Sequence, residues 1–218
     1  MISTIQQYRI GIATTQGKSY FQFVKALRLL NLEYDSIMPE QIPTYQGNLI
    51  FTTENESPRY ASQQILNEDV LKHDPTVIQG IITEKLDSGL NQSELLIGID
   101  PGQRIGISVS YFGKEIERGL YSSPEEIASH VARILGGLRA ERKLVRIGNG
   151  NMKIAKQITT QLNLKFCSNF ELEFVDERKT TKKIKNHNKR GKRDMLSARF
   201  IAQREGYRHF VLPLSRTG

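Results

Sequence analysis

Three acidic side chains stand where a carboxylate serves chemistry better than packing. The run Leu95-Leu96-Ile97-Gly98-Ile99 is apolar throughout and ends on Asp100, followed by Pro101-Gly102. A charge closing a buried strand is left at the rim of the sheet, because Pro101 prevents further ladder donation and Gly102 permits a positive φ. The pattern recurs in "FELEFVDE", where Phe170, Leu172 and Phe174 alternate toward one face and the strand runs out at Asp176-Glu177-Arg178. Asp194 stands at the expected start of a last helix, whose apolar stripe is Met195, Ala198, Ile201 and Ala202. Hard oxygen ligands of this kind suit Mg²⁺ or Mn²⁺, and metal-assisted phosphodiester cleavage uses two such ions about 4 Å apart to activate water and stabilise the leaving oxygen. Asp100, Glu177 and Asp194 are therefore candidate catalytic and metal-binding residues, with Asp176 as a further candidate ligand. They converge only if the two strand ends and the helix start are neighbours.

Each acid also has a plainer use. Asp100 suits an Asp-Pro-Gly turn between strands, Asp176 and Glu177 suit ion pairs on a solvated face, and Asp194 suits electrostatic support of a helix N-terminus. The chain between Glu177 and Asp194 favours the chemical use. It carries Arg178, Lys179, Lys182, Lys183, Lys185, Lys189, Arg190, Lys192 and Arg193, so clustered acids would be flanked by cations where phosphates lie. Arg104, beside Asp100, and His187, within the basic run, join them as candidate nucleic-acid contacts.

The elements that must position these residues follow from periodicity. "ELLIGID", "RIGISVSYF" and "KEIERGLY" are strand-like and should form an antiparallel meander, with Phe112-Gly113-Lys114 as a hairpin turn. "SSPEEIASHVARILGGLR" opens a helix with Ser123 as N-cap, Pro124 at the first position and Glu126 at the third, and buries Ile127, Val131, Ile134 and Leu138. A strand "KLVRIG", a helix from about Asn151 carrying Ile154, Ile158 and Leu162, the strand "FELEFVDE" and a helix after Arg193 complete the order βββαβαβα. Residues 94–218 are thus expected to form an α/β domain with a mixed sheet. Residues 1–60 read as a small α/β module, with a helix placing Phe21, Val24, Leu27 and Leu30 on one side. Residues 61–93, polar and broken at Asp74-Pro75, read as a helical linker with a helix around "QQILNEDVL".

Charge and composition narrow the partners. Net charge is +8 over 218 residues, and the segment from Arg178 onward, with 13 Lys or Arg against two acids, holds +11 while the remainder nets −3. A localised positive field favours a polyanion, nucleic acid first, through phosphate contacts and counterion release. The single cysteine, Cys167, excludes an internal disulfide framework and cysteine-based zinc sites, which suits a reducing cytoplasm. No apolar run approaches the ~20 residues of a membrane span, so no membrane partner is expected. "GIATTQGKS" imitates a phosphate-binding loop, but Gly11 to Gly17 encloses five residues instead of four and no strand-end aspartate follows in "NLIFTTENES", which argues against nucleotide binding there.

Three motifs resemble the RuvC and YqgF branch of the RNase H-fold nucleases over roughly residues 95–206. They are "IGIDPGQRIGISV" at the first strand, "FVDERKTT" as a DER-[ST]-T motif, and "KRDMLSARFIA" at the terminal helix. The resemblance implies an RNase H-like fold with helices on both faces of the sheet. It also implies active-site acids at Asp100, Glu177 and Asp194, and metal-dependent endonucleolytic hydrolysis of branched DNA such as Holliday junctions, or of precursor ribosomal RNA. A symmetric junction as target would call for a homodimer. RuvC-type enzymes carry a glutamate in the fourth strand, where this chain reads Arg146-Ile147-Gly148-Asn149, and a second acid late in the last helix, where it has Ser197. That difference favours the YqgF side and leaves a non-catalytic nucleic-acid-binding protein as the alternative. Actin-like ATPases share the fold and a first-strand "GIDxG"-like motif, but they need two such domains, and only one fits after Leu95.

Overall fold

Two short apolar runs, Ile10–Ala13 (β1) and Leu49–Thr52 (β3), are buried at all four residues, as expected of central strands covered on both faces. A computed structural model describes residues 9–58, 63–86, 93–165, 170–176 and 190–209 of the chain. It places these two runs side by side in a parallel sheet, flanked by Asp35–Ile37 (β2) and Gln64–Leu66 (β4) in the order β2-β1-β3-β4. The sheet belongs to the first of two compact units, Met1–Gly89 and Leu90–Gly218.

Helix α1 (Gly17–Leu29) buries Phe23 and Leu27 and half-buries Tyr20, Val24 and Leu30 against the sheet. Phe21, expected on the core side, is 66% exposed. It lies two residues, about 200° of helical rotation, from Phe23, and the larger apolar set wins the inward face. The segment expected as a linker supplies a strand and a helix to this unit. Ile65 pairs with Ile50 in the sheet rather than joining a helix, and Asn67 accepts a bond from the Asp69 N–H at 3.2 Å to open a 3-10 turn over Glu68–Lys72. Asp74-Pro75 is a helix start rather than a break. The Asp74 carboxylate accepts from the Thr76 N–H at 3.1 Å, proline tolerates the first helical position, and α2 (Pro75–Leu86) buries Val77, Ile78 and Ile82. Leu66, Val70, Ile78 and Ile82 pack in one cluster with Ile10, Phe23 and Phe51.

The second unit opens with β5 (Glu94–Pro101), β6 (Ile105–Tyr111) and β7 (Lys114–Tyr121), an antiparallel meander. The β6–β7 turn is Phe112-Gly113 alone, since Lys114 already pairs with Tyr111. Both turn residues have positive φ, 49° and 73°, the two-residue geometry that matches strand twist. Helix α3 (Pro124–Gly137) starts as its sequence predicts: Ser123 Oγ accepts from the Glu126 N–H at 3.1 Å, and Ile127, Val131, Ile134 and Leu138 are buried. Then come β8 (Arg142–Gly148), α4 (Met152–Lys165), β9 (Glu171–Val175), α5 (Arg190–Ala202) and β10 (Tyr207–His209). The sheet order is β10-β9-β8-β5-β6-β7, with β8 and β9 parallel to β5 and β10 antiparallel to β9. This is the mixed, RNase H-like α/β arrangement that the βββαβαβα order predicts, extended by β10, whose three residues are too few to show a period. Among the described residues no helix is long and apolar enough to cross a membrane.

Alternation assigns the faces. Glu117 lies opposite Val109 and meets His130 of α3 at 2.7 Å, so the odd-numbered face of β5–β6, with Ile97, Ile99, Ile107 and Val109, is the α3 side. Helix α5 lies on the other face.

Candidate functional site

Two glycines decide how close α5 comes to the sheet. A Cβ on Gly98 would stand 2.6 Å from the Ala202 Cβ and 2.7 Å from its nitrogen, with the Ala198 carbonyl nearer still. A Cβ on Gly106 would stand 2.8 Å from the Asp194 carbonyl carbon, again with the oxygen nearer. Only residues without side chains at both positions let the helix backbone lie directly on β5 and β6, and the small Ala198 and Ala202, both buried, complete the fit.

This contact brings the backbone of Asp194 against the strand next to Asp100. Gly106 is the residue directly opposite Asp100 in the β5–β6 pair, and directly opposed residues point to the same face. The Asp100 side chain therefore stands on the α5 face, at the last turn of strand before Pro101, one cross-strand step from the backbone of Asp194. Both are half-buried. Asp194 is the fifth residue of α5 rather than its first, so support of the helix N-terminus is not its position. Arg190, Lys192 and Arg193 lie in the first turn. Gly102, whose type permits a positive φ, does not adopt one; among the described glycines that conformation belongs to Gly113.

Asp176 arrives at the same edge by strand pairing. Ile99 is level with Ile147, and Gly148 with Val175, so β5, β8 and β9 end together. Asp176 follows Val175, is exposed, and its backbone carbonyl accepts from Arg204 at 3.4 Å. β9 is two strands from β5, about 10 Å at ordinary strand spacing. Among the described residues no group of three His, Cys, Asp or Glu side chains is close enough to hold a metal ion. Glu177 and the expected contacts Arg178, Lys179, Lys182, Lys183, Lys185, His187 and Lys189 lie outside the described residues, as do the side chains of Arg190, Lys192 and Arg193. Arg104 is exposed in the β5–β6 connection, beside Asp100.

Arg146, in β8, has a structural role of its own. It lies level with Gly98 on the α5 face, donates to Glu173 Oε2 at 2.7 Å and to the Ala202 carbonyl at 2.6 Å, and is 11% exposed against 13% for Glu173. A cation here satisfies the last carbonyls of α5, so the position holds the helix down rather than holding an ion. At the opposite edge of the sheet the charges neutralise one another. Arg142 bonds Glu94 at 3.2 Å and Glu171 at 3.3 Å, and Arg208 bonds Glu171 at 3.1 Å. The Arg142 hydrogen bonds hold the Glu171 carboxyl below its usual range. A depression of about 530 Å³ opens there, lined by Arg139, Glu141, Arg142, Lys143 and Phe170. It lies a strand length, roughly 20 Å, from Asp100.

In the first unit the sequence reading missed Glu56. The β1–α1 loop, Thr14-Thr15-Gln16, and the end of β3 meet where the strand order reverses, the usual ligand position of a parallel sheet. Here a carboxylate of the chain occupies it. Glu56 accepts from the hydroxyls of Thr14, Thr15 and Thr53 and from the Thr15 N–H at 2.8 Å. Burial alone would raise its pKa, but the four hydrogen bonds together take it down to about 2. Nothing in "GIATTQGKS" announces this partner, since it stands some 40 residues on.

No protein-family model matches the chain, and no curated protein is similar to it in sequence. Among solved structures it is similar to Aa-Ago, an Argonaute crystallised with externally bound siRNA, at 12% identity and a TM-score of 0.26, over 78% of this chain and 35% of that one. The chain thus spans about a third of the length of the structure it matches.

Proposed function

We propose that the second unit is a metal-dependent endonuclease acting on structured nucleic acid, either branched DNA or precursor ribosomal RNA. The observation that supports this is the close seating of α5 on Gly98 and Gly106, with the backbone of Asp194 against the strand residue opposite Asp100. Two hard carboxylates so placed fit a divalent ion, and Asp100 and Asp194, joined by Glu177 and with Asp176 nearby, would hold Mg²⁺ or Mn²⁺ there. Bound ions supply Lewis acidity and a low-pKa water for phosphodiester hydrolysis. The chain's own part is to fix the two acids on rigid elements and to present cations, Arg104 and the basic run from Arg178 to Arg193, to the flanking phosphates. The resemblance to the RuvC and YqgF branch supports the same assignment.

The test is a cleavage panel of four-way DNA junctions, flaps and precursor ribosomal RNA, with and without Mg²⁺ or Mn²⁺. Asp100→Asn and Asp194→Asn are expected to abolish metal-dependent product while leaving folding and binding intact; undiminished cleavage by either variant refutes the site. A second reading, a non-catalytic nucleic-acid-binding protein, is favoured by the fourth strand, Arg146-Ile147-Gly148-Asn149, which has no carboxylate and whose Arg146 bonds the Ala202 carbonyl of α5 instead. It predicts binding without product on every substrate and with either metal.

A further inference from the structure

The first unit carries a cationic, aromatic helix face that the nuclease site does not use. Helix α1 turns Phe23 and Leu27 inward and leaves Lys18, Phe21, Lys25 and Arg28 exposed on the other side. At about 100° per residue these four fall within roughly 80° of arc, and Lys18 to Arg28 spans about 15 Å along the axis. The helix contains no acidic residue. Among the described residues none pairs with Lys18, Lys25 or Arg28, whereas most other described cations are engaged: Arg9 with Asp35, Lys72 with Asp69, Arg142 with Glu94. Phe21, between them, is 66% exposed. Lone exposed apolar side chains are ordinary. A ring set among three unpaired cations on a single stripe is a different arrangement, because it joins the two elements of single-strand recognition: charges that follow a phosphate backbone and an aromatic face on which a base stacks.

We infer that this face of α1 binds single-stranded nucleic acid, with Lys18, Lys25 and Arg28 on successive phosphates and an unpaired base stacked on Phe21. The inference rests on the nucleic-acid reading of the second unit only in the identity of the polyanion; it requires neither metal nor cleavage.

The experiment measures binding of the full chain to a fluorescent single-stranded oligonucleotide, and to its duplex, by anisotropy without metal over a series of salt concentrations. Neutralising Lys18, Lys25 and Arg28 together to Gln removes three phosphate contacts. It should lower the slope of log K against log salt by about 2, so that a fourfold rise in salt weakens the native chain about 20-fold more than the variant. Phe21→Ala should weaken single-strand binding about tenfold with the slope unchanged and duplex binding unaffected. Phe21→Leu should behave like Phe21→Ala, since leucine keeps apolar surface but offers no ring. All four positions are exposed, so folding is expected to be unaffected, with unchanged circular dichroism as the control. An unaltered salt slope in the triple variant, or native binding by Phe21→Leu, overturns the inference. So does capture of phosphatidylserine vesicles that depends on these residues while oligonucleotide binding does not. Loss of metal-dependent cleavage with this single-strand binding retained counts against the nuclease reading alone, and loss of the binding differences above with cleavage retained counts against this inference alone.

Discussion

Replacing Gly106 with alanine tests the contact on which the candidate site depends. The new methyl would stand 2.8 Å from the Asp194 carbonyl carbon and closer to its oxygen, against the ~3.5 Å at which non-bonded heavy atoms rest. Backbone cannot rotate aside as a side chain can, so the first turns of α5 must lift by about 1 Å. Overpacking of this kind costs about 1–3 kcal/mol, which denaturant unfolding of the second unit would read as a lower midpoint with an unchanged slope. A displacement of about 1 Å at a catalytic carboxylate is also enough to cost roughly 100-fold in rate. Metal-dependent cleavage should therefore fall far more than the fraction of folded protein does. Gly119→Ala is the control, since its methyl would meet only the Glu117 Oε1 at 3.3 Å and the Ile107 and Tyr121 side chains beyond, atoms that can yield; it should keep native activity and cost less than ~1 kcal/mol. Gly106→Ala with native stability and native cleavage would refute the claim that α5 seats Asp194 against the strand opposite Asp100.

Two further outcomes follow from half-buried charge. Glu56, with its pKa lowered to about 2 from an ordinary 4.5, contributes stability to the first unit that is fully present above about pH 4.5 and lost as pH falls toward 2; Glu56→Gln should remove that pH-dependent part, read as thermal midpoints across the same range, and an identical profile in native chain and variant would contradict the assignment. Arg146→Ala takes the ion-pair partner from Glu173, leaving that carboxylate its bond from the Gly206 N–H at 3.2 Å, removes the Arg146 bond to the Ala202 carbonyl, and should destabilise the second unit by roughly 3 kcal/mol, whereas the double change to Arg146→Met and Glu173→Leu should recover most of it, as measured by denaturant midpoints.

Much of the second unit was legible along the chain because its signals are local. Ser123-Pro124 with Glu126 starts α3 by satisfying its own first amides, and the period of Ile127, Val131 and Ile134 commits one face to the core whatever lies beneath it. The alternation in Leu172 and Phe174, and the charge ending each apolar run, likewise marked β5, β9 and their edge. The failures lie where partners are distant. Residues 64–66 form a strand only because the edge of β3 offers them backbone partners, and Phe21 faces outward only because Phe23 and Leu27 make the better contact with the first sheet. Glu56 was invisible because three of the four donors that lower its pKa come from Thr14 and Thr15, some 40 residues away, and only Thr53 is local.

The sequence by itself determined which residue types were available for chemistry and where elements end: carboxylates at Asp100 and Asp194, a localised cationic segment, helices and strands in RNase H-like order. Only tertiary structure decided that the α5 backbone at Asp194 meets the strand residue opposite Asp100, because that depends on pairing register, Asp100 against Gly106, and on how near a helix can approach two glycines. The approach relates segments some 90 to 100 residues apart and the register relates two strands across their connection, and the periodicity within one segment holds no information about either.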